Sequence, residues 1–441
     1  MKKITFSSRP LQGVLLVGLV LGAVYLRVAR PDLALTPKDS RGLAIASATQ
    51  QIEPASSFGI IDLDALSRNL ERIQKPMQGK YGLRWVAKSL PSPDLLTYIA
   101  EQTGNARFMV FQKSMISELL SLLPEADLLL GKPIPGTAAE QLLRAFPFAS
   151  RRVHWLIDSP ERLAEYLDVS QRLQVSLSLV LEIDVGLRRG GFESPRDLDG
   201  LKTLIEAHSG AQVQVAGLMG YDGHVSHASP LLGPGKKRAS AREFEKVQER
   251  YLGFTERLRA LFSEPESGWI LNGGGSHTYW RYPNSKSPIN EIALGSALLK
   301  PTHFDDSELN ELEPAAFLAV PILKKVTQPF PFVSALGPLW GWVNSVNPNT
   351  QIGYYLYGST WGGEVLYPTG LSQAWFHEGG IQNLLPNQQL LMGSSHVAFP
   401  AGQRLIVRPP EGDTIAAFDR LLVIAAGSSP RWWRLMLHRN D

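Results

Sequence analysis

The segment "YGLRWVAKSLPSPDLLTYIA" (residues 81–100) decides the fold. Leu83 to Ala87 is a short, largely apolar run that ends in Lys88, and Pro91 and Ser92 open a helical pattern, so the lysine stands where a buried strand stops. A lysine at a strand end is ordinary when it simply meets water. The same strand-then-helix unit recurs along the chain. The strand candidates are "FGIIDL", "LRWVAK", "ARFMVF", "ADLLLG", "VHWLID", "SLVLEIDVG", "VQVAGLMGY" and "GWILNGGG", and helical patterns such as "LDALSRNLERIQ" and "SPERLAEYLDVSQRL" lie between them. This alternation predicts parallel βαβ units. Eight strands in about 250 residues favour a closed (β/α)8 TIM-type barrel over an open doubly wound sheet, and place the barrel at 55–310.

Beyond "DDSELNELEP" (305–314) the helical period fades, and short apolar runs alternate with Gly, Pro and Asn turns, which predicts a C-terminal all-β domain over 311–428. An uncharged aromatic insertion, "FPFVSALGPLWGWVNSVNP" (330–348), interrupts it and reads as a packed lid, a subunit contact or a membrane-facing patch. At the other end, residues 1–30 carry an uncharged stretch from Pro10 to Leu26 between Arg9 and Arg27. Its length meets the lower limit of a spanning helix, roughly 17 residues. Small-residue cleavage candidates lie far beyond it at 44–48, which favours an uncleaved membrane anchor over a removed signal peptide. Arginines and lysines on both sides leave the topology open, and the expected location is a bacterial inner membrane. Residues 31–54 read as a linker. The chain closes on a basic aromatic tail (429–441) in which Trp432 and Trp433 sit among arginines, either at lipid headgroups or packed on the β domain.

Composition excludes several classes of function. The 441 residues are 44% hydrophobic and 19% charged, ordinary for a globular chain of two or three domains. A net charge of +3 without a long basic run gives nucleic-acid binding no electrostatic support. Cysteine is absent from the sequence, which rules out disulfides, thiolate metal sites and a cysteine nucleophile.

In a parallel barrel the chemistry gathers at the carboxyl ends of the strands, and four of these carry reactive residues. One is Lys88. "EIDVGLRRGGF" (182–192) supplies Glu182, Asp184, Arg188 and Arg189; "GLMGYDGHVSH" (217–227) supplies Tyr221, Asp222, His224 and His227; "NGGGSHTYW" (272–280) supplies Gly273, Gly274, Gly275 and Ser276. A glycine run after a strand lets backbone amides approach an anion, although it is as often only a tight turn. A lysine, an arginine and a phosphate cradle on one rim are the parts needed to hold pyridoxal phosphate.

These four motifs in this order, with a barrel before a β domain, resemble the alanine racemase-like (fold type III) pyridoxal phosphate enzymes, and within them the D-threonine aldolase and D-serine dehydratase-like group, over residues 55–425. The resemblance implies that Lys88 is the Schiff-base lysine and that Arg189, in "D-x-G-x-x-R-x-G", approaches the cofactor ring or the substrate carboxylate. It implies a small amino-acid substrate and a lyase acting on a β-hydroxy D-amino acid by retro-aldol cleavage or dehydration. An amino-acid racemase and a membrane-tethered barrel without catalysis are the alternatives, and homodimerisation is left open. His224, then His227, are the acid–base candidates by titration range, and Tyr221 is the other candidate. In the lyases of this group a divalent metal is held through His-x-Cys or His-x-Asp. Here "RPPEGDTIAAFD" (408–419) has no histidine, and Glu411 and Asp413 are either weak metal ligands or solvated turn acids.

Overall fold

The computed structural model describes residues 18, 40–50, 52, 57–228, 235–327, 351–358, 361–373 and 389–436. The anchor candidate at 10–26, all but residue 18, and the aromatic insertion at 330–348 lie outside them. Among the described residues no helix is long and apolar enough to cross a membrane.

Eight parallel strands close into a barrel: β2 (Gly82–Val86), β3 (Arg107–Val110), β4 (Asp127–Leu130), β5 (Val153–Ile157), β6 (Ser176–Glu182), β7 (Gln212–Gly220), β8 (Ile270–Gly273) and β9 (Glu291–Leu294). The count of eight agrees with the sequence, but the membership does not. "FGIIDL" forms β1 (Phe58–Asp62), which lies outside the barrel, and closure comes from β9 pairing in register with β2, Gly82 opposite Glu291 and Trp85 opposite Leu294. Four residues led by a glutamate do not read as a buried strand. The glutamate is tolerated because Arg84 meets it. Its guanidinium donates to both Glu291 oxygens at 2.6 and 2.9 Å and to Asp127 at 2.8 Å, and Asn272 adds a bond to Glu291 at 2.8 Å. Burial opposes the charge on Arg84, yet the two carboxylates outweigh it and raise the pKa; Asp127 is held well below the usual carboxylate range against its own burial.

The helices between strands are cut by local chemistry. Ser92 accepts a hydrogen bond from the Leu95 amide at 3.2 Å, Pro93 takes the first helical position, and Gly104 at φ +61° ends the helix Pro93–Thr103. Ser159 and Pro160 start the helix Pro160–Leu173 in the same way, with Arg162 as the donor.

The chain divides into two compact units, residues 60–316 with 411–441 and residues 1–59 with 317–410. In the second, β10 (Ala316–Thr327) pairs antiparallel with β11 (Ile352–Leu356) and β15 (Arg404–Arg408), β11 with β14 (Leu390–Gly393), β14 with β13 (Leu371–Gln373), and β15 with β12 (Glu364–Tyr367). This is the all-β domain the sequence predicts. The expected linker holds a helix, Ser40–Thr49, set against β12 at Gly42, where a Cβ would come within 2.9 Å of Leu366. Its small residues permit that approach.

The expected boundary at 428 also moves, because residues 411–436 group with the barrel. There β16 (Arg420–Ile424) pairs with β17 (Arg431–Arg434), so the tail begins as a strand. Arg434 meets Asp94 at 2.8 Å, the Trp433 ring lies 5.7 Å from that of Tyr98, and Leu435 and Met436 are buried. The tail up to Met436 packs on the helix Pro93–Thr103. Its apolar residues up to Met436 are largely used in that packing, although Trp432 stays exposed under Arg420.

Candidate active site

The carboxyl ends of the barrel strands surround a cavity of about 240 Å³. Side chains alternate along a strand, so Arg84, Val86 and Lys88 share the inner face of β2 and its continuation. Lys88 falls in the single helical turn Ala87–Ser89 just past the strand end, and its side chain enters the cavity. Its ammonium lies 5.3 Å from the centroid of the Phe111 ring and, among the described residues, has no hydrogen-bond or ion-pair partner.

After β6 the chain turns back on itself. Asp184 accepts from the amides of Gly186 and Arg188 at 2.8 and 2.9 Å, and Gly191 at φ +87° leaves room where a Cβ would strike the Glu182 carbonyl at 2.6 Å. The turn delivers Arg189 to the cavity, donating to Glu182 at 2.9 Å with its guanidinium carbon 5.1 Å from the Tyr221 ring. Burial raises the pKa of Glu182, and Arg189 opposes that rise.

Tyr221 leaves the end of β7 and lines the cavity between Gly223 and Gly275, at which a Cβ would lie 2.6 and 2.9 Å from its ring. The next residue, Asp222, is fully buried. It accepts from the hydroxyls of Thr278 and Tyr282, each at 2.8 Å, and so fastens the segment after β8 to the end of β7. Burial pushes its carboxyl up to about 6.

The glycine turn follows β8. Gly273 ends the strand and Gly274 takes φ +73°, a conformation that disfavours any side chain. Ser276 Oγ accepts from the amides of Gly295 and Ala297 at 3.1 Å, which ties this turn to the one after β9 and leaves the hydroxyl hydrogen free to be donated. Of the predicted site residues, Lys88, Arg189, Tyr221, Gly274, Gly275 and Ser276 line the cavity together, as does His227; Gly273, the last residue of β8, does not.

His224 is not brought into that lining. Its ring packs against Gly186, where a Cβ would lie 2.9 Å from Nε2, and its buried Nδ1 has no partner; burial lowers its pKa. Glu411 and Asp413 do reach the cavity, with Glu411 accepting from His303 at 2.8 Å. Among the described residues no group of three His, Cys, Asp or Glu side chains could hold a metal ion.

Sequence reading did not find Phe111 under the lysine, and it met Glu182, Asp222 and His277 at the strand ends without assigning them the roles they take here: partner of Arg189, buried acceptor of two hydroxyls, and oriented imidazole. The last faces the cavity while Asp306, 29 residues on, holds its Nδ1 at 2.9 Å. Asp306 lies between the single helical turns Thr302–Phe304 and Ser307–Leu309, a place that carries no sequence signal for such a role.

Pyridoxal phosphate fits this set. Lys88 offers an unpaired amine, Tyr221 and Arg189 offer a ring face and a cation, and the turns at 274–276 and 295–296 form a cradle without Cβ atoms at three of their five positions. Glycine at 295 is required by space, since a Cβ there would lie 2.9 Å from both Ser89 and the Val86 carbonyl.

The comparisons agree with this geometry. Solved structures similar to the chain include D-threonine aldolase from Filomicrobium marinum (TM-score 0.63, 15% identity, 87% of this chain and 98% of that one). D-threo-3-hydroxyaspartate dehydratase from Delftia sp. HT23 (0.62, 16%, 87% and 98%) and alanine racemase from Bacillus anthracis (0.61, 14%, 86% and 97%) share the same fold. No curated protein matches by sequence. The family model for the alanine racemase N-terminal domain matches residues 61–302, more than half of the chain and the whole of the barrel, and the protein belongs to that family.

Proposed function

We propose that this member of a pyridoxal phosphate-using fold family is a lyase that acts on a β-hydroxy D-amino acid, by retro-aldol cleavage or dehydration, with Lys88 as the residue that carries the cofactor. The observation behind this reading is the unpaired Lys88 ammonium in the same cavity as the glycine and serine cradle. The ammonium gains a cation–π contact from Phe111, about 0.5–1 kcal/mol at an exposed site, which the rotamer freedom lost in ordering a lysine offsets, so packing does not account for it. When bound, pyridoxal phosphate supplies an electron sink for the pair left on Cα. The chain's own groups do the rest. The amides at 274–276 and 296 and the Ser276 hydroxyl hold the phosphate, Arg189 takes the ring or the substrate carboxylate, and Tyr221 moves a proton at Cα.

A racemase needs one proton-transfer group on each side of Cα, which Lys88 and Tyr221, from well-separated strands, would satisfy. A lyase needs a further group at the β-hydroxyl, and the cavity holds one in His277, with His227 beside it. That surplus favours the lyase.

The test is a spectrum of the purified chain with pyridoxal phosphate, before and after D-threonine and D-serine, with product analysis. A cofactor band, and aldehyde or keto-acid product, is expected. A band with only the enantiomer formed supports the racemase, and no band returns the barrel to a non-catalytic role. The 10–26 stretch as a membrane anchor, and homodimerisation, stand as parts of the same proposal, tested by membrane extraction and sedimentation.

A further inference from the structure

We infer that His277 is the acid–base residue at the substrate's β-hydroxyl and that Asp306 positions it; the inference rests on the lyase reading above. His277 follows the cradle residue Ser276 directly, so the turn that would hold the phosphate also fixes where the imidazole stands. Its ring is held on several sides. Nδ1 lies 2.9 Å from Asp306 Oδ2, the ring is stacked at 4.0 Å and 11° on Phe304, and its backbone carbonyl accepts from Trp280 Nε1 at 3.0 Å.

The carboxylate can only accept, so Nδ1 carries the hydrogen and Nε2 keeps its lone pair. The titratable groups facing the ring are Asp306, His227 at 6.1 Å between centroids, and Glu411, which His303 binds. Burial lowers the imidazole pKa, Asp306 and Glu411 raise it, and His227 lowers it; the net shift is downward, leaving the neutral base at physiological pH. No such arrangement exists at His224, whose Nδ1 is buried without a partner.

The β-hydroxyl proton passes to His277 Nε2, and the O–H electron pair becomes the second bond of the product carbonyl. The Cα–Cβ bond breaks with its pair left on Cα. Tyr221 then gives a proton to Cα and takes one back from solvent, while the imidazolium, held by Asp306, releases its proton to solvent, so that both residues are neutral again.

The experiment uses the full chain loaded with cofactor. Nitrogen-resolved NMR of the histidines should show His277 as the Nδ1–H form, titrating below the ordinary imidazole range. His277→Asn should keep the cofactor band and lower kcat by about 10² to 10⁴ with little change in KM. Asp306→Asn should cost less and move the acid limb of the kcat/KM profile to lower pH, because a raising partner is gone; a merely structural role would leave that limb in place. An Nε2–H tautomer, or a His277→Asn protein with bound cofactor within about threefold of wild-type kcat, well short of the loss of a general base, overturns the inference and leaves the lyase reading standing. A wild type that takes up no cofactor overturns both.

Discussion

Two cations four residues apart in "GLRWVAK" (82–88) meet opposite fates. Arg84 is 1% exposed and bonds Glu291, Asp127 and two backbone carbonyls. Lys88, on the same inner face at the carboxyl rim, has no such partner among the described residues and only an aromatic ring at 5.3 Å. The arginine's charge is fully used by the fold; the lysine's is left available. In a parallel barrel the amino-terminal half is packed interior and the carboxyl end is where loops can hold a ligand, so the position along the strand decides which role a charge takes.

The largest expected effect breaks the paired side of this contrast. Arg84→Met leaves Glu291 buried without its counter-charge and should cost about 3–5 kcal/mol in urea unfolding, whereas Lys88→Ala should stay within roughly 0.5 kcal/mol of wild type. Equal losses from the two variants would dissolve the distinction.

Asp222 sharpens it, being buried yet bonded only by hydroxyls and not by a cation. Its carboxyl stands at about 6 in the fold against 3.8 in the unfolded chain, so the folded state binds the extra proton between those values. The stabilisation is therefore complete below pH 4 and is lost as pH rises through 6, on the order of 3 kcal/mol. Asp222→Asn should flatten that part of the stability profile; an unchanged slope would assign it to another group.

The smallest effect belongs to the exposed pair. Arg434 is 62% exposed where it meets Asp94, and Arg434→Ala should cost about 0.2–1 kcal/mol, shrinking further at high salt. A larger loss would mean that the tail docks mainly through this pair and not through Trp433, Leu435 and Met436.

Much of this contrast was legible in the sequence. Lys88, Arg189 and the glycine turn follow strands that alternate with helices along the chain, and a barrel brings strand ends together whatever lies between them. The closing strand was not legible, because Glu291 is apolar in effect only once Arg84 neutralises it, 207 residues away. His277 was overlooked for a related reason: a histidine after a glycine turn is unremarkable until Asp306 and Phe304 fix its ring. Local pattern finds elements, while buried charge pairs and oriented rings are products of tertiary contact. His224 shows the converse, with the right residue type on the right loop but its ring turned against Gly186.

The central claim is that the free charge, Lys88, carries the cofactor. Borohydride reduction of the protein loaded with pyridoxal phosphate, followed by peptide mapping, tests it directly. The account predicts one pyridoxyl group on the peptide containing Lys88, and none on a folded Lys88→Ala protein. Stoichiometric labelling of another lysine in the wild type, such as Lys132 just past the end of β4, would contradict it.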